Sequence, residues 1–201
     1  VRTDPTFWIV ARASGFTAYI LLTCTSVAGL ALKSRAFGRR ARPVTVTDAH
    51  RFLALLALLA IGVHGIALLY DTSIRIDLLG LVVPGRIAYR PLWVGAGVAA
   101  AELTVLVYLS FPVRKLIRVR NWRRLHRATY AIFGAATAHG LLAGSDSSHP
   151  WARYLYVAAL GSVATVAIYR LLARPGAPRL AVAPAPEARE TPRARARASA
   201  A

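Results

Sequence analysis

Methionine is absent from this chain of 201 residues, cysteine occurs once, and lysine only twice, at Lys33 and Lys115. Each shortage removes something. Without methionine, no haem can be held by a histidine and a methionine together. With Cys24 alone, an internal disulfide, a Cys-x-x-Cys metal site and a covalent haem attachment motif are all excluded. Acid is scarce as well: 8 Asp+Glu stand against 26 Lys+Arg, a net charge of +18. Glu102 is the sole acid inside an apolar run, which argues against a proton-coupled carrier.

What the chain has in quantity is apolar surface. Hydrophobic residues make up 56% of it and the mean hydropathy is +0.47, well above a soluble domain's usual share. Runs of about 20 apolar residues match the ~30 Å hydrocarbon core of a bilayer at ~1.5 Å rise per residue. The expected fold is therefore all-α: an integral membrane bundle of about five transmembrane helices, with membrane lipid as its surroundings. The basic residues sit between and after the apolar runs, the pattern of cytoplasmic loops, so nucleic acid is not an expected partner.

The first span is expected from Phe7 to Leu32, followed by Lys33, Arg35, Arg39, Arg40 and Arg42. Arg12 at its start, and no small-residue cleavage pattern at its end, make it a spanning helix rather than a removed leader. Thr47 and Asp48 read as helix-start residues for a second span, His50 to Tyr70. Between Asp71 and Pro91 the breakers Gly80, Pro84 and Gly85 leave Ile76–Val83 as an interfacial or re-entrant piece. A third span, Leu92 to Phe111, leads into the densest basic run: Arg114, Lys115, Arg118, Arg120, Arg123, Arg124 and Arg127. The fourth, Leu125 to Ala143, ends in the polar turn Gly144–Pro150, and the fifth runs from Trp151 to Ala173. Both basic loops then fall on one side. The expected placement is a multi-pass protein of the cell membrane, amino terminus outside and carboxyl tail cytoplasmic. Residues 1–173 form the expected membrane domain. The Pro/Ala/Arg-rich stretch 174–201 reads as a disordered tail suited to an anionic lipid surface.

Four of the five histidines lie in two spans, His50 and His64 on the second, His126 and His139 on the fourth. Histidine inside a membrane is costly and marks a site by default. The spacings of 14 and 13 residues correspond to about 21 and 20 Å along the axis. Spans two and four run the same way, which sets His50 level with His126 and His64 level with His139. Two facing imidazoles at each of two depths suit two stacked haems, held between the second and fourth spans. Fourteen α-helical steps return within about 40° of the starting face, but thirteen miss it by about 140°. The fourth helix is therefore irregular, with Gly134 a place for the distortion, or its histidines approach from flanking sides. Interhelical hydrogen bonding is the alternative for each histidine taken alone. A metal cluster fits poorly, since each level offers two imidazoles only.

Gly62, Gly65, Gly134, Ala138 and Gly140 lie beside these histidines and admit either a flat macrocycle or a close helix. Arg12 falls near the depth of His64 and His139, where it could pair with a haem propionate or reach out to the interface. Arg51 and Arg127 each follow an inner histidine, where they could serve inner propionates, and read chiefly as ordinary positive-inside charge. His149, in the outer turn, reads as solvated.

The segments WIVARASGFTAYILL, DAHRFLALLALLAIGVHG, YRPLWVGAGVAAAEL and WRRLHRATYAIFGAATAHG resemble the ferric reductase-like transmembrane domain. That family includes ferric reductases, NADPH oxidases and the haem subunit of a bacterial periplasmic methionine sulfoxide reductase system. The resemblance covers about residues 7 to 173. It implies two b haems, the inner on His50 and His126, the outer on His64 and His139, with Arg12 near the outer haem and Ile132 or Phe133 between the two. Electrons would pass to an extracytoplasmic acceptor such as ferric iron, oxygen or a partner reductase. The oxidases continue into flavin and nicotinamide domains. About 28 residues follow the last span here, with no glycine-rich fingerprint, so the expected donor is a separate flavoprotein or a quinol. Flavin or quinone would enter through that partner. Other classes stay open: a haem-free membrane transporter or scaffold, or a haem-binding sensor without an acceptor.

Overall fold

The computed structural model describes residues 5–34, 43–72, 74 and 76–172. Arg35, Arg39, Arg40 and Arg42 of the first basic loop, and the tail 174–201, lie outside the described residues. One compact unit runs from Val1 to Arg170; of the second, Leu171–Ala201, only Leu171 and Leu172 are described.

Six α-helices and no strand occur among the described residues: α1 Thr6–Ser34, α2 Pro43–Tyr70, α3 Pro91–Ser110, α4 Val119–His126, α5 Thr129–Ala143 and α6 Pro150–Leu172. Three of them start on proline, whose fixed φ and missing N–H suit the first helical position. That proline also moves one boundary. With Pro43 as the start, Thr47 and Asp48 lie inside α2 rather than capping it.

α1, α2, α3 and α6 are long and apolar enough to cross a membrane. The protein is a helical, multi-pass membrane bundle. Large apolar side chains such as Leu59, Ile66, Leu109 and Val157 point outward and exposed, a face that is stable against lipid and not against water. Hydroxyls in these helices are hidden locally. Ser14, Thr17, Thr23, Thr25 and Ser26 on α1, and Thr104 on α3, each donate to the carbonyl four residues back.

The expected fourth span is divided. Its first part belongs to α4, a short, basic, amphipathic helix, and the chain turns at Arg127–Ala128 before α5. The fifteen residues of α5 reach about 22 Å, short of the ~30 Å core. Among the described residues, four helices are of full spanning length and α5 is shorter.

α1 and α2 pack as one antiparallel hairpin, α3 and α5 as another. α6 is held by an aromatic cluster: Ala152 and Tyr156 meet Tyr19 of α1 and Phe133 of α5. The Tyr19 and Phe133 rings stack 5.8 Å apart, and the Tyr19 hydroxyl and Thr137 Oγ1 share a hydrogen bond of 3.0 Å. Between α2 and α3 lies the 3₁₀ turn Leu78–Leu81, in which the Asp77 carboxylate accepts from the Gly80 N–H. Arg86 donates to the same carboxylate, and with the Gly80 N–H holds it below the ordinary carboxylate range.

Candidate functional site

The two hairpins bring the four histidines together in pairs. The rings of His50 and His126 have centres 6.1 Å apart at 74° between planes; those of His64 and His139 are 6.4 Å apart at 79°. Both pairs join α2 to the α4–α5 segment.

Three of the four rings are held by the same device. His64 Nδ1–H donates to the Ala11 carbonyl at 2.7 Å, and the ring lies over Gly15, four residues further along α1. His50 Nδ1–H donates to the Thr25 carbonyl at 3.0 Å and lies over Gly29, again four residues on. His139 repeats it on α3, with the Trp93 carbonyl at 3.0 Å and Gly97 beneath the ring. One helical turn separates carbonyl from glycine, so both lie on one stripe of the supporting helix. A Cβ there would meet the ring, at 3.1 Å from His64 or His50 and at 2.5 Å from His139. At Gly97 a Cβ would force the ring to move, whereas at Gly15 and Gly29 it would crowd the ring by a few tenths of an ångström. The carbonyl holds a proton on Nδ1, so that in the neutral ring the lone pair able to bind a metal is on Nε2.

His126 is placed differently. It ends α4, its ring stacks on Trp122 at 5.0 Å, and Thr129 Oγ1 donates to its carbonyl. Bonds of the i to i−3 kind cross the break, from Arg127 N to Arg124 O, Ala128 N to Leu125 O and Tyr130 N to Arg127 O. Each such step turns the chain about 20° further than an α step. The irregularity that thirteen-residue spacing demands therefore sits at Arg127–Ala128, and not at Gly134. Trp122 Nε1 is buried with no acceptor among the described residues.

A cavity of about 560 Å³ opens beside the second pair, with His64, His139, Arg12, Gly62 and Ile132 on its wall. Gly62 and Gly134 face open space, whereas Gly65 meets Leu81 and Gly140 lies against the Tyr156 hydroxyl. Close packing accounts for the last two. Of Ile132 and Phe133, the former lines the cavity and the latter joins the aromatic core. Arg12 reaches this wall with its guanidinium forked onto both carboxylate oxygens of Asp146 and lying 4.0 Å over the Trp8 ring. Asp146 is 4% exposed. Nothing local in the sequence marks Asp146; the fold brings it to Arg12, 134 residues away. Of the other cations, Arg51 lies 3.9 Å from Asp48 and over Phe111, and Arg127 is exposed. His149 is exposed, 3.9 Å from Asp146.

Among the described residues no three His, Cys, Asp or Glu side chains gather around one point. Each pair thus offers a metal two ligands and no more. No family model, curated protein or solved structure matches this chain.

Proposed function

We propose that this protein conducts electrons across a membrane through two b haems, each held by a facing histidine pair. The observation that carries the reading is the spacing of those pairs. Two imidazoles bound in line to one metal ion, at about 2.0–2.1 Å per bond, have ring centres about 6 Å apart; the pairs here measure 6.1 and 6.4 Å. Hydrogen-bonded interhelical histidines would approach through their nitrogens. These instead turn Nδ1 to a backbone carbonyl at three of the four rings, which leaves Nε2 as the ligating nitrogen. Two ligands per level suit a metal whose remaining positions a macrocycle fills.

His50 and His126 would hold one haem, His64 and His139 the other. When bound, haem supplies one-electron chemistry; the protein sets its place and potential. The carbonyls of Ala11, Thr25 and Trp93 orient three of the ligands. Ile132 and the aromatic core make the middle of the bundle apolar. Arg12 brings a cation to the wall beside His64 and His139, and its pairing with Asp146 makes that region close to neutral. The orphan Trp122 N–H beside His126 is a donor that a propionate would satisfy.

The resemblance to the ferric reductase-like domain points the same way. Positive-inside charge puts the α3–α5 connection and the carboxyl tail in the cytoplasm and the amino terminus outside, with α5 as a short fifth crossing. The donor is then a cytoplasmic flavoprotein or a membrane quinol, and the acceptor extracytoplasmic: ferric iron, oxygen or a partner reductase.

The test is a reduced-minus-oxidised optical spectrum with a haem assay on purified protein. Two non-covalent low-spin b haems per chain, extracted completely by acid acetone, are expected. A folded but colourless preparation would leave the haem-free transporter or scaffold standing instead.

A further inference from the structure

α3 crosses the membrane and ends at Ser110, while α5 begins at Thr129 and returns along α3. The segment 111–128, with α4 in it, therefore lies at one membrane face. It carries seven cations, and no acid occurs in the sequence between Glu102 and Asp146. Arg114 is turned onto the Phe111 ring and carbonyl. Lys115, Arg118, Arg120, Arg123, Arg124 and Arg127 are exposed, and none makes an ion pair among the described residues. Apolar side chains stand among them: Leu116 is 84% exposed, and Val113 and Val119 are exposed too.

α4 has little of its own to hold it. Eight residues fall below the length of about 12–15 at which an isolated helix is marginal in water. Arg120 faces Arg123 and Arg124 at the i+3 and i+4 positions, where like charges repel. Its N-cap, Arg118, has a left-handed φ of 67° and no side-chain capping bond. Among the described residues, ring contacts tie it to its surroundings at two points, Trp122 against Phe111 and His126 against His50 of α2.

We propose that the α4 segment is a docking surface for anionic phospholipid headgroups, and that bound lipid keeps α4 folded and so holds His126 at its place. An acidic protein would match the cations but leave Leu116 and its apolar neighbours in water. An anionic bilayer surface answers both, taking the cations at its phosphates and the apolar side chains among its acyl chains. The inference rests on the membrane bundle alone and stands whether or not haem is bound.

The experiment places the full chain in nanodiscs of phosphatidylcholine, or of phosphatidylcholine with phosphatidylglycerol, and follows limited trypsin cleavage site by site. Cleavage after Arg118, Arg120, Arg123 and Arg124 should slow in the anionic discs, by at least about fivefold if even one cation is engaged. High salt should relieve part of that protection. Cleavage after Arg86, at the opposite membrane face, should change little. In Arg120→Gln/Arg124→Gln, the remaining Arg118 and Arg123 sites should keep a smaller lipid dependence than in the unmodified chain, and hydrogen exchange of the α4 amides should respond less to lipid charge; a dependence unchanged by the two substitutions would also overturn the proposal. Equal rates in the two discs would overturn the proposal. So would equal slowing at Arg86, or protection that appears only when a soluble acidic protein is added.

Discussion

Replacing Gly97 with alanine tests the ring cradles most severely, because the three are not equally tight. A Cβ at Gly97 would stand 2.5, 2.6 and 2.8 Å from Nδ1, Cγ and Cε1 of His139, against the whole ring face. To restore ordinary contact, which begins at 3.4 Å, the ring must retreat about 0.9 Å. The same change at Gly15 or Gly29 starts from 3.1 Å and asks for about 0.3 Å. His139 cannot retreat that far and keep both its 3.0 Å bond to the Trp93 carbonyl and its spacing from His64. Groups that orient a metal-ligating histidine typically matter about 10–100-fold in metal affinity. Gly15→Ala and Gly29→Ala should fall near the lower figure, and Gly97→Ala beyond the upper one. Haem content and redox titration of the purified variants read this directly. If the protein holds the two proposed haems, Gly97→Ala should retain one, Gly15→Ala and Gly29→Ala two, with the shifted potential belonging to a different haem in each. Gel filtration and thermal unfolding of the same samples separate a lost haem from a lost fold. Two haems with unchanged spectrum and potentials in Gly97→Ala would refute the argument that the backbone presses on His139.

Other outcomes follow from the same contacts. Arg12→Ala leaves a buried Asp146 carboxylate unpaired and should cost about 3 kcal/mol in detergent melts, the lower part of the range for broken buried pairs because Arg12 is partly exposed. Asp146→Asn should cost less, and the double variant less than the sum; strict additivity would show that the pair is not coupled. If both haems bind, the near-perpendicular ring planes of 74° and 79° should give ferric low-spin signals of large g anisotropy in electron paramagnetic resonance. Parallel-plane signals from both would contradict the geometry. The Asp77 carboxyl is held below its ordinary range, so its contribution to the 3₁₀ turn is present above that range and lost as pH falls through the lowered value. Hydrogen exchange at the Gly80 amide should therefore stay slow from neutral pH down to the ordinary carboxylate range, and Asp77→Asn should speed it at neutral pH.

The long apolar helices were legible because hydropathy and length report directly on the solvent that surrounds a helix. The four histidines stood out for a related reason, their cost inside an apolar run. The break between α4 and α5 was legible only as a mismatch: thirteen residues cannot return to one face, but nothing local in Arg127–Ala128 marks the turn. Gly134 drew attention instead, although glycine permits a distortion without requiring one. Nothing in the sequence marks Gly15, Gly29 and Gly97, because each supports a histidine on another helix, and sequence neighbours say nothing of that. Asp146 was hidden in the same way. An acid in a polar turn looks solvated until the fold carries Arg12 to it. One trace of the cradles was readable in advance: Gly15 and Gly29 are as far apart as His50 and His64.

That equality links two helices as a pair of matched rulers. Ala11 and Gly15 receive His64, Thr25 and Gly29 receive His50, and in each case the paired residue numbers sum to the same value. Adding or removing residues between Ser34 and Pro43 changes neither ruler, so natural variation in length is expected to collect there. A single residue inserted into α1 between Gly15 and Gly29 shifts one dock against the other by about 1.5 Å and 100°. One histidine then keeps its support while the other faces the wrong stripe. A matching insertion in α2 between His50 and His64 restores both. Lengths of these two helices should thus drift together or not at all, a form of covariation visible in gaps rather than in residue identities.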